Sequence, residues 1–298
     1  MSQKFTVKLV FLLSLGLSLL SAEGTRTASF AAEPTQSKPS MSEEIARIAA
    51  KVLPKDGFTL PIKWGELGPR LVKLGVIDLA KLKQLYKNDG DALAYLRYLE
   101  APSDDFITIT AKNAPFLVNV FWALGLANRN PLLEKLATET PEVELMRLAS
   151  TGGWSLGTKP PEEFYSNYDI VRLTPQQQKL VGDLAGSIYR PCCNNATSFP
   201  DCNHGIALLG LMQFMAANGL GRNEILRASL QFNSFWFPEQ YVKTALLFQS
   251  RGIDWKKVDP KEVLGFQYSS GSGWMQNVNA KLQKEGYVSP GQKGGSSC

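Results

Sequence analysis

The sequence predicts an all-α fold, a single compact domain of about ten helices with few or no strands. Three observations predict it. Apolar residues recur at i, i+3, i+4 and i+7 along most of the chain. Capping residues and Pro or Gly stops punctuate that pattern at helical intervals. Period-two alternation is scarce: Phe106–Thr110 is the best strand-like run. It has no obvious partner, so it reads as an extended connector.

Residues 1–22 read as a signal peptide. Lys4 and Lys8 form a basic start, Leu9–Leu20 is an apolar run, and Ala22 closes a Leu-Ser-Ala cleavage site. The run is too short to cross a bilayer. No twin Arg precedes it and no Cys follows it, which favours unfolded export without a lipid anchor. The mature chain is therefore expected outside the cytoplasm, periplasmic or extracellular, with no membrane span. Cleavage lowers the net charge from +5 by the two lysines.

Residues 23–40 are rich in Ser, Thr, Ala and Pro and read as a disordered leader. The helical domain is expected over 41–289. Ser40 or Ser42 caps its first helix, with Glu43 and Glu44 in the first turn. Ile45, Ile48, Ala49, Val52 and Leu53 make one buried face, and Pro54 to Gly57 end it. Short helices follow at Leu67–Val76, Leu79–Tyr86 and Asp91–Glu100. Ala114–Ala127 is apolar apart from Asn119 and suits a buried core helix. Pro131 and Pro141 open two more, as proline does in a first turn.

Gly and Pro crowd residues 151–161, where the domain would divide if it divides. Thr174-Pro175 with Gln177 is a capping box, and Leu180, Val181, Leu184, Ala185 and Ile188 form the face behind it. That helix is expected to end at Arg190-Pro191. Ile206–Ala217 is apolar on every side and belongs in the middle of a fold. Helices at about 222–233, 238–250, 259–266 and 273–285 complete the domain. Residues 290–298 are a Gly/Ser-rich, flexible tail ending in Cys298.

Composition excludes several functions. Lys and Arg are dispersed, with no basic stripe interleaved with aromatics, so nucleic acid is not an expected partner. The chain has a single His, so it can build no two-His metal site or HExxH protease. That His lies beside three of the four cysteines.

Cys192, Cys193, Cys202 and His204 fall within 13 residues, between two strongly predicted helices. Asp201 or Asn203 would cap the second helix, placing Cys202 and His204 at its positive end, where a thiolate is stabilised. Three thiolates and a neutral imidazole form a Cys3His set suited to zinc, and soft thiolates also suit copper(I). The expected partner is thus a metal ion, and the expected function metal carriage, sensing or redox chemistry. Met212 and Met215 are possible thioether ligands for copper, though core filling explains them too.

Two other readings stay open. In an oxidising compartment Cys202 can pair with Cys192 or Cys193, closing a loop worth ~2–3 kcal/mol and leaving a disulfide-stapled binding module without metal. Alternatively the chain is an exported enzyme. A reactive Cys202 with a resolving Cys192 or Cys193 could exchange disulfides. Gly153-Trp154-Ser155-Leu156-Gly157 matches the G-x-S-x-G of hydrolases, but a helix, not a buried strand, is predicted before it. Asn195-Ala196-Thr197 is a glycosylation sequon in a eukaryotic source.

Overall fold

Ser40 opens the first helix, α1 (Met41–Val52), through a capping box: its Oγ accepts the Glu43 N–H, and the Glu43 carboxylate accepts the Ser40 N–H at 2.8 Å. The computed structural model describes residues 40–139 and 154–288, which lie within one compact unit, Pro39–Cys298. The signal peptide, the leader up to residue 39, the helix from Pro141, Gly153 and the tail with Cys298 fall outside the described residues.

The fold is mostly helical but holds a two-stranded antiparallel sheet, β1 (Phe58–Gly65) with β2 (Ser103–Ile109). This corrects the expectation of few or no strands: Phe106–Thr110 is not a lone connector. Its partner was hidden by Pro61, which reads as a strand breaker. In a two-stranded sheet every strand is an edge, where a missing N–H costs no ladder bond. Leu60, Ile62 and Trp64 are buried while Thr59, Pro61 and Lys63 are exposed, the alternation of a strand covered on one face. Register shifts on both sides of Lys63 also blur the pattern. About forty residues separate the strands, so no short turn announces the pairing.

Between the strands come α2 (Leu67–Lys73), α3 (Leu79–Leu85), α4 (Gly90–Ala94) and α5 (Arg97–Glu100). The helix expected over 91–100 is thus broken in two. Asp78 and Asp89 cap α3 and α4 with side-chain oxygens. Trp64 stacks on Tyr98 with ring centroids 4.6 Å apart, tying β1 to α5.

The core runs along α6 (Ala114–Ala127), followed by α7 (Pro131–Glu139). After the Pro161–Glu163 turn come α8 (Pro175–Ala185) and α9 (Asn203–Ala217). Helices α6 and α9 are buried nearly all round, as their unbroken apolar runs require. They cross backbone to backbone. A Cβ at Gly210 would stand 2.3 Å from the Phe121 carbonyl oxygen, and one at Gly125 would stand 2.0 Å from that of Ile206. Gly210→Ala should therefore push the helices apart and cost about 1–3 kcal/mol, read as a lower urea midpoint.

Helix α10 (Arg222–Trp236) packs beside this pair, and α11 (Pro238–Ser250) packs on α10 and α1. Of the last two expected helices, the one over 259–266 is broken, while the one over 273–285 is a continuous helical run with a π-helical turn inside it. Residues 259–266 give α12 (Pro260–Val263) and the start of α13 (Phe266–Ser269). Then α14 (Gly271–Trp274) passes through a π-helical turn, Met275–Asn279, into α15 (Ala280–Lys284). No helix among the described residues is long and apolar enough to cross a membrane.

Candidate metal centre

The loop from Gly186 to Cys202 joins α8 to α9, and backbone hydrogen bonds fix it on both sides. Ser198 N–H donates to Ala185 O at 2.9 Å, and Thr197 N–H and Oγ1 both donate to Ile188 O, at 2.9 and 2.8 Å. Tyr189 N–H donates to Leu264 O at 2.8 Å. On the far side Gly271 N–H donates to Cys193 O at 2.9 Å, and Ser272 N–H to Asn194 Oδ1 at 2.8 Å. The cysteines thus sit in a loop clamped between α8 and the start of α14. Thr197 of the sequon is fully buried in that clamp.

The structure brings three predicted ligands together. Cys192 Sγ lies 3.8 Å from Cys193 Sγ and 3.5 Å from Cys202 Sγ, and Cys193 and Cys202 are 3.6 Å apart. None of these is the ~2.05 Å of a disulfide. The circle through the three sulfurs has a radius of about 2.1 Å. A metal with 2.3 Å bonds to sulfur would stand about 0.9 Å out of their plane, close to the ~0.8 Å of a regular tetrahedron. The triangle therefore has the size of one face of a four-coordinate thiolate centre. Adjacent cysteines reach one point here because Pro191–Asn194 turns instead of extending.

Cys202 itself, not Asp201 or Asn203, is the N-cap of α9. Its Sγ accepts the Gly205 N–H at 3.3 Å and the Arg190 Nε–H at 3.2 Å. Two N–H donors and the helix end favour negative charge on that sulfur. Asp201 does not cap, because its carboxylate is taken: Oδ1 by Arg190 and Oδ2 by the Asn195 amide.

Arg190 is the residue that sequence reasoning missed. It reads as a helix end, yet its guanidinium is fully buried. Besides Cys202 and Asp201, it donates to Asn195 O at 2.7 Å and to Phe199 O at 3.4 Å. Five donors in a rigid fork suit such a hub. Burial opposes its charge, but the neighbouring sulfurs outweigh this and hold the guanidinium protonated. The available signal was a basic residue two positions before a Cys pair.

Gly205 exists for this arginine. A Cβ there would stand 2.6 Å from an Arg190 terminal nitrogen. Gly205→Ala should displace the guanidinium from Cys202 and cost about 1–3 kcal/mol, measured by chemical denaturation of the reduced protein.

At Cys193 the hydrogen bond with Cys192 lowers the pKa, but that with Cys202 and burial outweigh it and push the thiol up. Three thiolates this close repel one another, so a cation that binds them must displace protons.

His204 stands apart. The three cysteines are the group of mutually close ligand atoms, and His204 is not among them. A nitrogen sharing one ion with those sulfurs would lie about 3.6 Å from each. Its ring instead packs on Phe237, with centroids 4.5 Å apart, and on Trp236 at 6.0 Å. Nδ1 is buried without a hydrogen-bond partner. Burial pushes the imidazole pKa down to about 4, which keeps it neutral. The ring also lines a cleft of about 450 Å³ with Asn119, Asn203, Phe235 and Trp236.

The remaining candidates are elsewhere. Met212 is eight residues along α9 from His204, about 12 Å, and Met215 lies farther; both fill the core and are no ligands to this centre. Ser155 is exposed in a cleft lined by Lys81, Thr158, Lys159 and prolines, with no His or carboxylate. The neighbouring Trp154 is a buried anchor whose Nε1–H donates to Val76 O at 3.0 Å. Among the described residues the geometry therefore gives the hydrolase reading no triad. Comparison with protein-family models, with curated proteins and with solved structures gives no match for this chain.

Proposed function

We propose that this is an exported helical protein whose Cys192, Cys193 and Cys202 bind a thiophilic metal, copper(I) or zinc, for carriage, sensing or redox chemistry. One observation carries the reading: three sulfurs 3.5–3.8 Å apart, spaced as a tetrahedral ion spaces its ligands. Arg190 supports it. Three thiolates around zinc leave one negative charge, and the guanidinium faces it from hydrogen-bond distance of Cys202. Such partners orient ligands and tune a metal. Export rests on the basic and apolar start of the sequence.

The fourth position is proposed for His204. Its neutral ring and unpartnered Nδ1 are fit to ligate, and it leaves Phe237 to do so.

Cobalt(II) titration of the reduced, metal-free protein tests the reading. Saturation at one equivalent, with the intense visible bands of tetrahedral thiolate coordination, is expected. His204→Ala should keep that stoichiometry at lower affinity. Weak octahedral bands only, or no saturation, would remove the metal reading.

A further inference from the structure

A second site lies away from the cysteines, in a cleft of about 530 Å³. Four elements build it: the last turn of α1, the start of β1, one face of α10 and the Trp255–Lys257 turn leading into α12. Arg227, Leu230 and Gln231 stand at i, i+3 and i+4 on α10, so they share a face.

Four cations line this cleft: Lys51, Arg227, Lys256 and Lys257. Lys51 is paired with Asp254. Among the described residues no carboxylate lies within ion-pair distance of the other three. Asp254 also attracts Lys256, so the positive charges on this concavity without an acidic partner are Arg227 and Lys257, drawn from two elements, and they make a field for an anion. Arg227 adds a planar fork suited to a carboxylate or phosphate.

A second observation points to a ligand. The Gln231 Oε1 is buried and accepts no hydrogen bond. An enclosed amide oxygen without a donor costs roughly 1–3 kcal/mol, so a native structure needs a reason to keep one. Gln231 lines the cleft, so its amide is within reach of a molecule bound there. Phe58, Leu230 and Val258 supply apolar wall between the charges and the amide.

We propose that this cleft binds a small organic anion: an oxyanion headgroup on Arg227 and Lys257, a flat apolar body against Phe58 and Leu230, and a hydrogen-bond donor for Gln231. The site is independent of the metal centre and does not require it.

Calorimetric titration of the intact protein at 150 mM KCl tests this with three probes: 4-hydroxyphenyl phosphate, 4-hydroxybenzoate and inorganic phosphate. At least one organic anion should saturate a single site, about tenfold or more tighter than inorganic phosphate. The tighter of the two identifies the headgroup as phosphate or carboxylate. The Arg227→Ala/Lys257→Ala variant should bind about tenfold or more weakly, and Gln231→Leu severalfold more weakly. Both cations are exposed, so the variants should keep the parent's circular dichroism and melting temperature. Failure of both organic anions to saturate, binding no tighter than inorganic phosphate, or unchanged binding in the double variant would overturn the proposal.

Discussion

Cys202→Ser should abolish stoichiometric metal binding, with affinity falling by a factor of about 100 or more, while Cys298→Ser should leave both unchanged. Cys202 is the sulfur on which the site converges. It is within 3.6 Å of both other thiols, it accepts the Gly205 N–H, and it accepts the Arg190 Nε–H. Serine keeps the N-cap function, since its hydroxyl accepts the same backbone N–H. The substitution thus separates ligand loss from helix loss. The check is metal per chain after gel filtration, beside a melting curve of the metal-free protein. A Cys202→Ser protein that still carries one ion would show that the cluster is not the binding site.

Arg190→Ala should be the most destabilising single change near the site. Removing it takes the counter-charge from the Asp201 carboxylate, which keeps only the Asn195 amide, and leaves the Asn195 carbonyl without its donor. Breaking a buried, hydrogen-bonded charge pair costs about 3–5 kcal/mol, and the partly exposed Asp201 places this one at the lower end. Arg190→Lys keeps the charge but not the fork and should recover only part of the loss. Denaturation of the reduced, metal-free proteins reads the stability term alone. In the same variants metal affinity should fall a further 10–100-fold, roughly, because Cys202 loses its hydrogen bond. An unchanged denaturation midpoint in Arg190→Ala would mean that the loop does not depend on the guanidinium.

Much of this was legible in the sequence for reasons of periodicity and caps. Helix α9 declared itself by an apolar run too dense for any surface helix. Thr174-Pro175 with Gln177 formed the capping box it promised. The sequence placed the three cysteines in one loop but left open whether the adjacent Cys192 and Cys193 both reach one ion, because neighbouring side chains point in different directions. The sheet was not legible, because Pro61 masks β1 and its partner is distant in sequence. The helix expected over 259–266 broke up because apolar periodicity survives the short break between α12 and α13.

The site was legible in its atoms but not in its directions. Spacing along the chain cannot say that the His204 ring turns onto Phe237 while the thiol two residues earlier turns toward Arg190. Nor does it show that a buried arginine organises the loop. Arginine is almost never fully buried unless paired, and Asp201 and the Cys202 sulfur that pair it stand about ten residues on.

The most direct test of the central claim is elemental analysis of protein purified from its native host without air, beside a count of alkylatable thiols before and after chelation. The metal reading predicts about one copper or zinc per chain and three cysteines of the loop shielded until the chelator is added. A metal-free protein in which two of those three cysteines are already joined as a disulfide would contradict it.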